Sequence, residues 1–247
     1  ELITATGENN GIFSTNLPAK GWLSYESLSK LRTDLIQHEI IGDRHGRTAL
    51  DYTVNAKVGF PYLTGQEKTS EPVNHILPAW DIATAYNAAV NILAAERQRR
   101  LTGKGQQIKL ALADVALATV SNLGLIGEVK INGEKRRKIG NFLYGAFGKD
   151  FLTRDKQRIM VIAVSPKQWS GLLKITQLEE KVNQIEKDIG LNFNKEGDRY
   201  HARKELFAIF APWVAERNLA EVSELFDEVG VCWDKYQSIT ELVENDP

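Results

Sequence analysis

One long helix with defined ends is predicted over residues 82–97 and constrains how the rest of the chain can fold. Apolar side chains recur there at helical spacing. Arg99 and Arg100 complement the negative end of this helix, and Gly103 can take the left-handed conformation that ends a helix. Residues 108–114 then alternate between apolar and polar side chains as a strand does. A helix followed at once by a strand indicates α/β structure.

Asp81 stands at the beginning of this helix, after a loop that runs from Pro72 to Trp80. Asp is a preferred N-cap residue, a role worth about 1 kcal/mol, and the residues alone favour that structural role. The positive helix end predicts an ionised carboxylate with a pKa below its free value of about 3.9. A partly desolvated carboxylate can also attack an activated acyl group. The two roles are compatible.

Composition narrows the class of protein. The chain has 247 residues, 43% of them hydrophobic, and a formal net charge of −1, as expected for a globular protein with no general attraction to nucleic acid or membranes. A lone Cys232 cannot form an internal disulfide, and the four histidines are too scattered for a metal site. No apolar run reaches membrane-spanning length and no signal peptide is evident, so we expect a cytoplasmic protein without a metal.

The first 60 residues alternate between strand and helix patterns, as parallel α/β structure does. Strands are predicted at 2–5 and 35–42, with a helix at 25–31 between them. The glycine-rich segment 7–11 lacks a dinucleotide fingerprint and a phosphate-loop lysine, so a plain turn is expected there.

The pattern changes beyond about Gly124. An Asn-Gly pair within 130–134 indicates a hairpin, and apolar runs at 151–153 and 158–164 flank a polar turn. Ser165 followed by proline predicts a helix start, and a further helix is predicted from 202–211 onward. These features indicate a second, α+β region.

Several motifs, taken in order, resemble those of the class III CoA-transferases, the CaiB/BaiF group. They are the runs 81–117, 140–148, 228–232 and 241–247. The resemblance implies an α/β fold: part of a Rossmann-like large domain at 1–124, a smaller α+β domain at 125–230, and a return toward the large domain at 231–247. It also implies that full-length relatives form interlocked homodimers. The chain is expected to be the central portion of such a transferase.

The same resemblance assigns roles to residues. It makes Asp81 the catalytic nucleophile and gives the backbone N–H groups of Gly145 and Gly148 the stabilisation of oxyanions. The residues expected to line the substrate or CoA site are Tyr52, His75, Tyr144, Ala146 and Phe147. Other readings stay open: a plain glycine-rich connection for 140–148, a half-buried aromatic ring for Tyr52, and a loop histidine for His75. The loop is bulkier than the consecutive glycines of formyl-CoA transferases, which argues against a fully mobile flap.

Two other activities fit the residues poorly. The racemases of this family pair the aspartate with a histidine, but residues 47–52 hold no histidine in register and His45 lies too early, so the second base is missing. The basic run 135–138 is typical of a solvated face, and nucleic-acid binding is not expected.

The function that the resemblance implies is covalent transfer of coenzyme A between carboxylates through an aspartyl mixed anhydride and an aspartyl-CoA thioester. Its partners would be an acyl-CoA and a small carboxylic acid, with no metal. Segments 51–62, 72–75 and 145–148 most resemble family members that move CoA between the two carboxylates of one dicarboxylic acid. Alternatives are an intermolecular transferase on another small acid, and a non-catalytic CoA-binding or assembly protein.

Overall fold

The computed structural model describes residues 3–7 and 10–245. The chain divides into two compact units, unit 1 (Glu1–Lys138) and unit 2 (Ile139–Pro247). Helical structure in unit 1 continues beyond Gly124, to Asn132.

Unit 1 contains a parallel sheet with the strand order β1-β2-β3. The strands are β1 (Ile12–Thr15), β2 (Ile36–Ile41) and β3 (Gln106–Ala111). The expectation of parallel α/β structure is confirmed, and the strand predicted at 35–42 is β2. The strand predicted at 2–5 is wrong for 3–5, which form none, while Leu2 lies outside the described residues. The first strand begins after Gly11, whose carbonyl accepts the N–H of Ile36 at 2.8 Å.

Four helices complete the main framework of unit 1. They are α1 (Tyr25–Leu31), α2 (Asp51–Lys57), α3 (Ala79–Thr102) and α4 (Leu112–Asn122). The predicted long helix is confirmed as α3, and it ends at Gly103 with φ of 69°. The strand predicted to reach residue 114 ends at Ala111. It ends there because Leu112, Ala113 and Ala116 form the buried face of a helix. The apolar and polar residues that alternate over 108–114 conceal this helical spacing in the sequence.

Residues 125–132 are helical, so the hairpin predicted at the Asn-Gly pair is wrong. A short helix, α5 (Leu125–Gly127), continues into a π-helical turn at Glu128–Asn132. Gly133 follows it with φ of 69°. A hairpin turn and a helix C-terminus both need a residue with positive φ, so the same Asn-Gly pair fits either one.

Unit 2 contains an antiparallel sheet with the order β4-β5-β6, formed by β4 (Phe147–Leu152), β5 (Arg158–Ala163) and β6 (Cys232–Lys235). The predicted antiparallel pair is confirmed as β4 and β5. Since β6 pairs with β5, the segment from residue 232 to 235 belongs to the sheet of unit 2.

Six helices of unit 2 are described: α6 (Pro166–Thr176), α7 (Glu179–Ile189), α8 (Glu196–His201), α9 (Arg203–Ala215), α10 (Leu219–Val229) and α11 (Ile239–Asn245). The predicted Ser165 cap is confirmed, because its hydroxyl accepts the N–H of Gln168 at 3.2 Å. Aromatic rings fill the core of this unit: Phe147, Phe151, Trp169, Phe193, Phe210 and Phe226 are all buried.

Gly148 lies in β4, where the packing leaves no room for a side chain. A Cβ atom at this position would lie 2.8 Å from the Cβ of Leu143 and 3.3 Å from the Cγ1 of Ile162. We therefore expect Gly148→Ala to lower the free energy of unfolding by about 1–3 kcal/mol, as overpacking does. Urea unfolding followed by circular dichroism measures this loss.

The matched control is Gly197→Ala in α8, where an added Cβ meets nothing within 4 Å. This variant should keep its stability or gain up to about 1 kcal/mol, because alanine favours a helix over glycine by about that amount. If Gly148→Ala proves as stable as Gly197→Ala, strand β4 must shift to make room for the added methyl group.

Candidate active site

The start of α3 is held by a carboxylate from a neighbouring helix. Asp51, the first residue of α2, is buried, and its Oδ2 accepts hydrogen bonds from the backbone N–H groups of Trp80 at 2.7 Å and Asp81 at 3.1 Å. The N-cap of α3 is Pro78, which makes no side-chain cap. Asp51 therefore caps this helix, and the N-cap role that the sequence favoured for Asp81 is wrong.

Asn55 provides a second hold on the same helix start, one turn further along α2. Its Oδ1 accepts the indole N–H of Trp80 at 3.2 Å, and its Nδ2 donates to Oδ1 of Asn74 at 3.1 Å. The Trp80 ring packs against Phe60 with centroids 5.5 Å apart. Because residues four apart share a helix face, Asp51 and Asn55 reach the start of α3 together.

Asp81 is the third residue of α3, and its side chain is exposed. Within residues 3–7 and 10–245, no group hydrogen-bonds its carboxylate. Desolvation, and then the negative charge of Asp51, raise the pKa of Asp81 above its ordinary value. The lowered pKa expected from the helix end is therefore wrong, because desolvation and the charge of a second carboxylate outweigh the effect of that end.

Tyr52 and His75 both fasten the loop that leads into α3. The Tyr52 hydroxyl, on a side chain that is 49% exposed, donates to the carbonyl of Ile76 at 3.1 Å. The His75 Nδ1 lies 2.6 Å from the carbonyl of Leu77, and its ring meets Trp80 edge-on at 6.4 Å. Both predicted residues thus lie in unit 1, Tyr52 on α2 and His75 in the loop itself.

The other predicted residues lie in unit 2 and differ from one another in exposure. Gly145 has a φ of 85° and open space where a side chain would be, and Tyr144 is 40% exposed. Ala146 and Phe147 are 4% and 1% exposed, so their side chains have almost no surface for a ligand. The absence of a side chain at Gly148 is explained by the packing of β4.

Aromatic and cationic contacts hold the segment before β4 in place. The Tyr144 ring lies 4.8 Å from Tyr200, and Phe142 meets Phe207 edge-on at 6.1 Å. The Arg203 guanidinium lies 4.5 Å from the centroid of Tyr200 and 5.7 Å from that of Phe142. Such contacts are each worth about 0.5–1 kcal/mol or more, which agrees with the expectation of a loop that is not fully mobile.

Sequence reasoning missed Asp51 and Asn55. The signal that could have found them is their spacing: two polar residues four apart lie on the buried face of α2, beside Val54. Buried polar side chains at helical spacing need partners on a neighbouring element.

Neither a metal-binding cluster nor a single membrane-spanning helix occurs among the described residues. No group of three or more His, Cys, Asp or Glu side chains is placed to hold a metal ion there. Among the same residues no single helix is long and apolar enough to span a membrane. The pair Leu112–Asn122 and Leu125–Asn132 meets the length and composition criterion together, across a bend of 68°.

Solved structures share this fold. A CaiB/BaiF family protein from Brucella suis matches with a TM-score of 0.73 and 20% identity, over 97% of this chain and 63% of that one. A protein from Mycobacterium tuberculosis matches with a TM-score of 0.75 and 18% identity, over 97% of this chain and 64% of that one. The α/β fold predicted from the resemblance is confirmed.

The sequence itself places the chain in a family. The profile of CoA-transferase family III matches residues 13–247, and the chain belongs to that family. It is 48% identical over 247 residues to 2-methylfumaryl-CoA isomerase of Chloroflexus aurantiacus, covering 100% of this chain and 60% of that protein. Succinyl-CoA:mesaconate CoA-transferase of Haloarcula marismortui is 26% identical over 199 residues, or 76% of this chain and 47% of that protein.

A human relative, succinyl-CoA:glutarate CoA-transferase, is 27% identical over 218 residues, covering 85% of this chain and 47% of that protein. The chain thus spans 60% of the length of the first of these relatives and 47% of the other two.

The raised pKa of Asp81 has a consequence for stability. At neutral pH the carboxylate is ionised although the folded state disfavours its charge, so Asp81→Asn should raise the free energy of unfolding at pH 7. This gain should shrink as the pH falls through the raised pKa toward the ordinary value of 3.8, because the wild-type carboxyl then becomes neutral. Urea unfolding at a series of pH values measures it.

The opposite result at pH 7, a less stable Asp81→Asn variant, would mean that the positive end of α3 stabilises the carboxylate more than Asp51 repels it. Glu26→Gln, which neutralises an exposed acid in the first turn of α1, is the matched control and should show no such pH dependence.

Proposed function

We propose that this chain carries the nucleophile of a CoA-transferase, and that Asp81 is that nucleophile. The observation that carries the proposal is the free carboxylate of Asp81. It is exposed at the start of α3, while Asp51 takes over the capping of the helix. A carboxylate that is not used for structure, and whose pKa is raised, is available to attack an acyl group.

The reaction begins when a carboxylate oxygen of Asp81 attacks the thioester carbonyl of an acyl-CoA. The carbon–sulfur bond breaks, CoA thiolate leaves, and a mixed anhydride joins Asp81 to the acyl group. The thiolate then attacks the aspartyl carbonyl, which releases the acyl group as a carboxylate and leaves an aspartyl-CoA thioester. An acceptor carboxylate reverses these steps and takes the CoA.

Each tetrahedral intermediate in this scheme carries a negative oxygen that needs a donor. The first N–H groups of α3 do not fill this role, because those of Trp80 and Asp81 are bonded to Asp51 and that of Ala79 to the carbonyl of Leu77. Gly145, whose backbone is not covered by a side chain, keeps the proposed role of donating its N–H to an oxyanion. We assign no such role to Gly148, because packing accounts for that glycine.

The proposed substrate is mesaconyl-CoA, with CoA moving from one carboxylate to the other of the same acid. The support is the 48% identity to a protein named 2-methylfumaryl-CoA isomerase. The contacts that hold Tyr144 and Phe142 also suit a reaction in which the acid need not leave. The second candidate is intermolecular exchange, favoured by the relatives named succinyl-CoA:mesaconate and succinyl-CoA:glutarate CoA-transferase.

The full protein is proposed to be a homodimer located in the cytoplasm, with coenzyme A as co-substrate. A non-catalytic CoA-binding or assembly protein is the alternative from another class. Turnover by the full-length protein separates these two possibilities.

Hydroxylamine trapping tests the nucleophile. Full-length protein incubated with mesaconyl-CoA and hydroxylamine should carry a hydroxamate on the peptide that contains Trp80, Asp81 and Ile82, because hydroxylamine attacks the activated aspartyl carbonyl. Asp81→Ala should lose both the label and at least about a thousandfold of turnover while remaining folded, as expected when a covalent nucleophile is removed. Mass spectrometry locates the label. A hydroxamate on another carboxylate, or undiminished turnover by Asp81→Ala, would refute the assignment.

Isotope exchange tests the substrate. The full-length protein should convert the C1 thioester of mesaconate to the C4 thioester without incorporating labelled mesaconate from solution, because the acid stays bound during transfer. Chromatography of the CoA esters measures both rates. Incorporation as fast as isomerisation would identify an intermolecular transferase, and no conversion of any short acyl-CoA would favour the non-catalytic alternative.

A further inference from the structure

Among the described residues, only one of the two oxygens of the Asp51 carboxylate has hydrogen-bond partners. It is 3% exposed, and its Oδ2 accepts both N–H groups at the start of α3. Its Oδ1 is buried and has no hydrogen-bond partner among the described residues. A buried carboxylate oxygen without a partner is costly, so the arrangement calls for an explanation beyond capping.

The basic groups around this helix start are engaged elsewhere. Lys57 on α2 and Arg47 in the preceding loop both pair with Asp43, and Arg44 pairs with Asp114 on α4. Two titratable residues of β2, a strand that packs against α3, are buried: His38, whose Nδ1 lies 3.3 Å from the Ser14 hydroxyl, and Glu39, which is bonded to Gln37 and Gln107. The remaining charged or titratable side chains on the elements that pack against α3 are exposed Lys109 on β3 and Tyr52 on α2. In the loop before α3, His75 contacts the carbonyl of Leu77. Within the described residues, the Asp51 charge has no ion-pair partner.

We propose that Asp51 is a positioning residue for the reaction at Asp81, acting through two hydrogen bonds to the helix start and through its own uncompensated charge. This inference rests on the proposed function. The hydrogen bonds fix the backbone from which the Asp81 side chain projects. The charge makes a second carboxylate beside it unfavourable.

The two effects favour the covalent steps. When Asp81 becomes part of a mixed anhydride or a thioester, its negative charge leaves with the departing thiolate or carboxylate, and the repulsion from Asp51 is relieved. The same repulsion makes Asp81 a more basic carboxylate, which agrees with its raised pKa. Asp51 itself forms no bond to the acyl group.

Two substitutions at position 51 in the full-length protein separate capping from charge. Asp51→Asn keeps an oxygen that can cap the helix, since asparagine caps about as well as aspartate, but it removes the charge. We expect it to keep the melting temperature and KM and to lower kcat several-fold, because the Asp81 carboxylate loses the repulsion from Asp51. The acidic limb of its kcat profile should move to lower pH.

Asp51→Ala removes both contributions. We expect a larger loss in kcat than in Asp51→Asn, a lower melting temperature, and faster hydrogen exchange at the amides of Trp80 and Asp81. Glu26→Gln, which removes an exposed acid from the first turn of α1, is the control and should match wild type in every measurement.

Wild-type kcat and an unmoved acidic limb in Asp51→Asn would overturn the proposal and leave Asp51 as a helix cap alone. A readout without turnover separates this result from failure of the proposed function. Carbon-13 NMR titration of the Asp81 carboxyl, assigned with Asp81→Asn, should show a lower pKa in Asp51→Asn than in wild type. An unchanged pKa of Asp81 contradicts the charge effect even if the protein proves to catalyse another reaction.

Discussion

Two hydrogen bonds from the start of α3 to one buried carboxylate determine the arrangement of unit 1 around Asp81. A helix leaves its first N–H groups without partners, and Pro78 supplies no side chain to satisfy them. Asp51 satisfies those of Trp80 and Asp81 from a different helix. This capping interaction connects α2 to α3. Because Asp51 caps the helix, the Asp81 carboxylate is not needed for that role. Breaking this one interaction would leave the N–H groups of Trp80 and Asp81 without partners.

Electrostatics at this position run against the usual effect of a helix N-terminus. The positive end of α3 favours a carboxylate there, typically by about 0.3–1 kcal/mol at an exposed site. Desolvation, and then the charge of Asp51 at that same end, nevertheless raise the pKa of Asp81. A nucleophile benefits from this arrangement because it is destabilised as a free carboxylate and loses its charge on acylation.

In the glycine-bearing segment of unit 2, residues that pack in the core directly follow residues that remain accessible to a ligand. Phe147 and Gly148 belong to β4 and its core, where a ring and a missing side chain both serve close packing. Gly145 and Tyr144, only a few residues earlier, face open space or remain partly exposed. A motif match covers all four residues equally, but only two of them have surface that a ligand could reach.

The sequence by itself determined the long helix α3, its end at Gly103, the Ser165 cap and the antiparallel pair, because these depend on local periodicity and on residues close in the chain. Only the tertiary structure decided what caps α3, because Asp51 lies 30 residues before Asp81 and is brought to it by the packing of α2. Local preference made Asp81 the obvious cap. The hairpin predicted from the Asn-Gly pair at 132–133 was wrong for a related reason. A glycine with positive φ suits a hairpin turn and a helix end alike, and only the surrounding fold selects one of them.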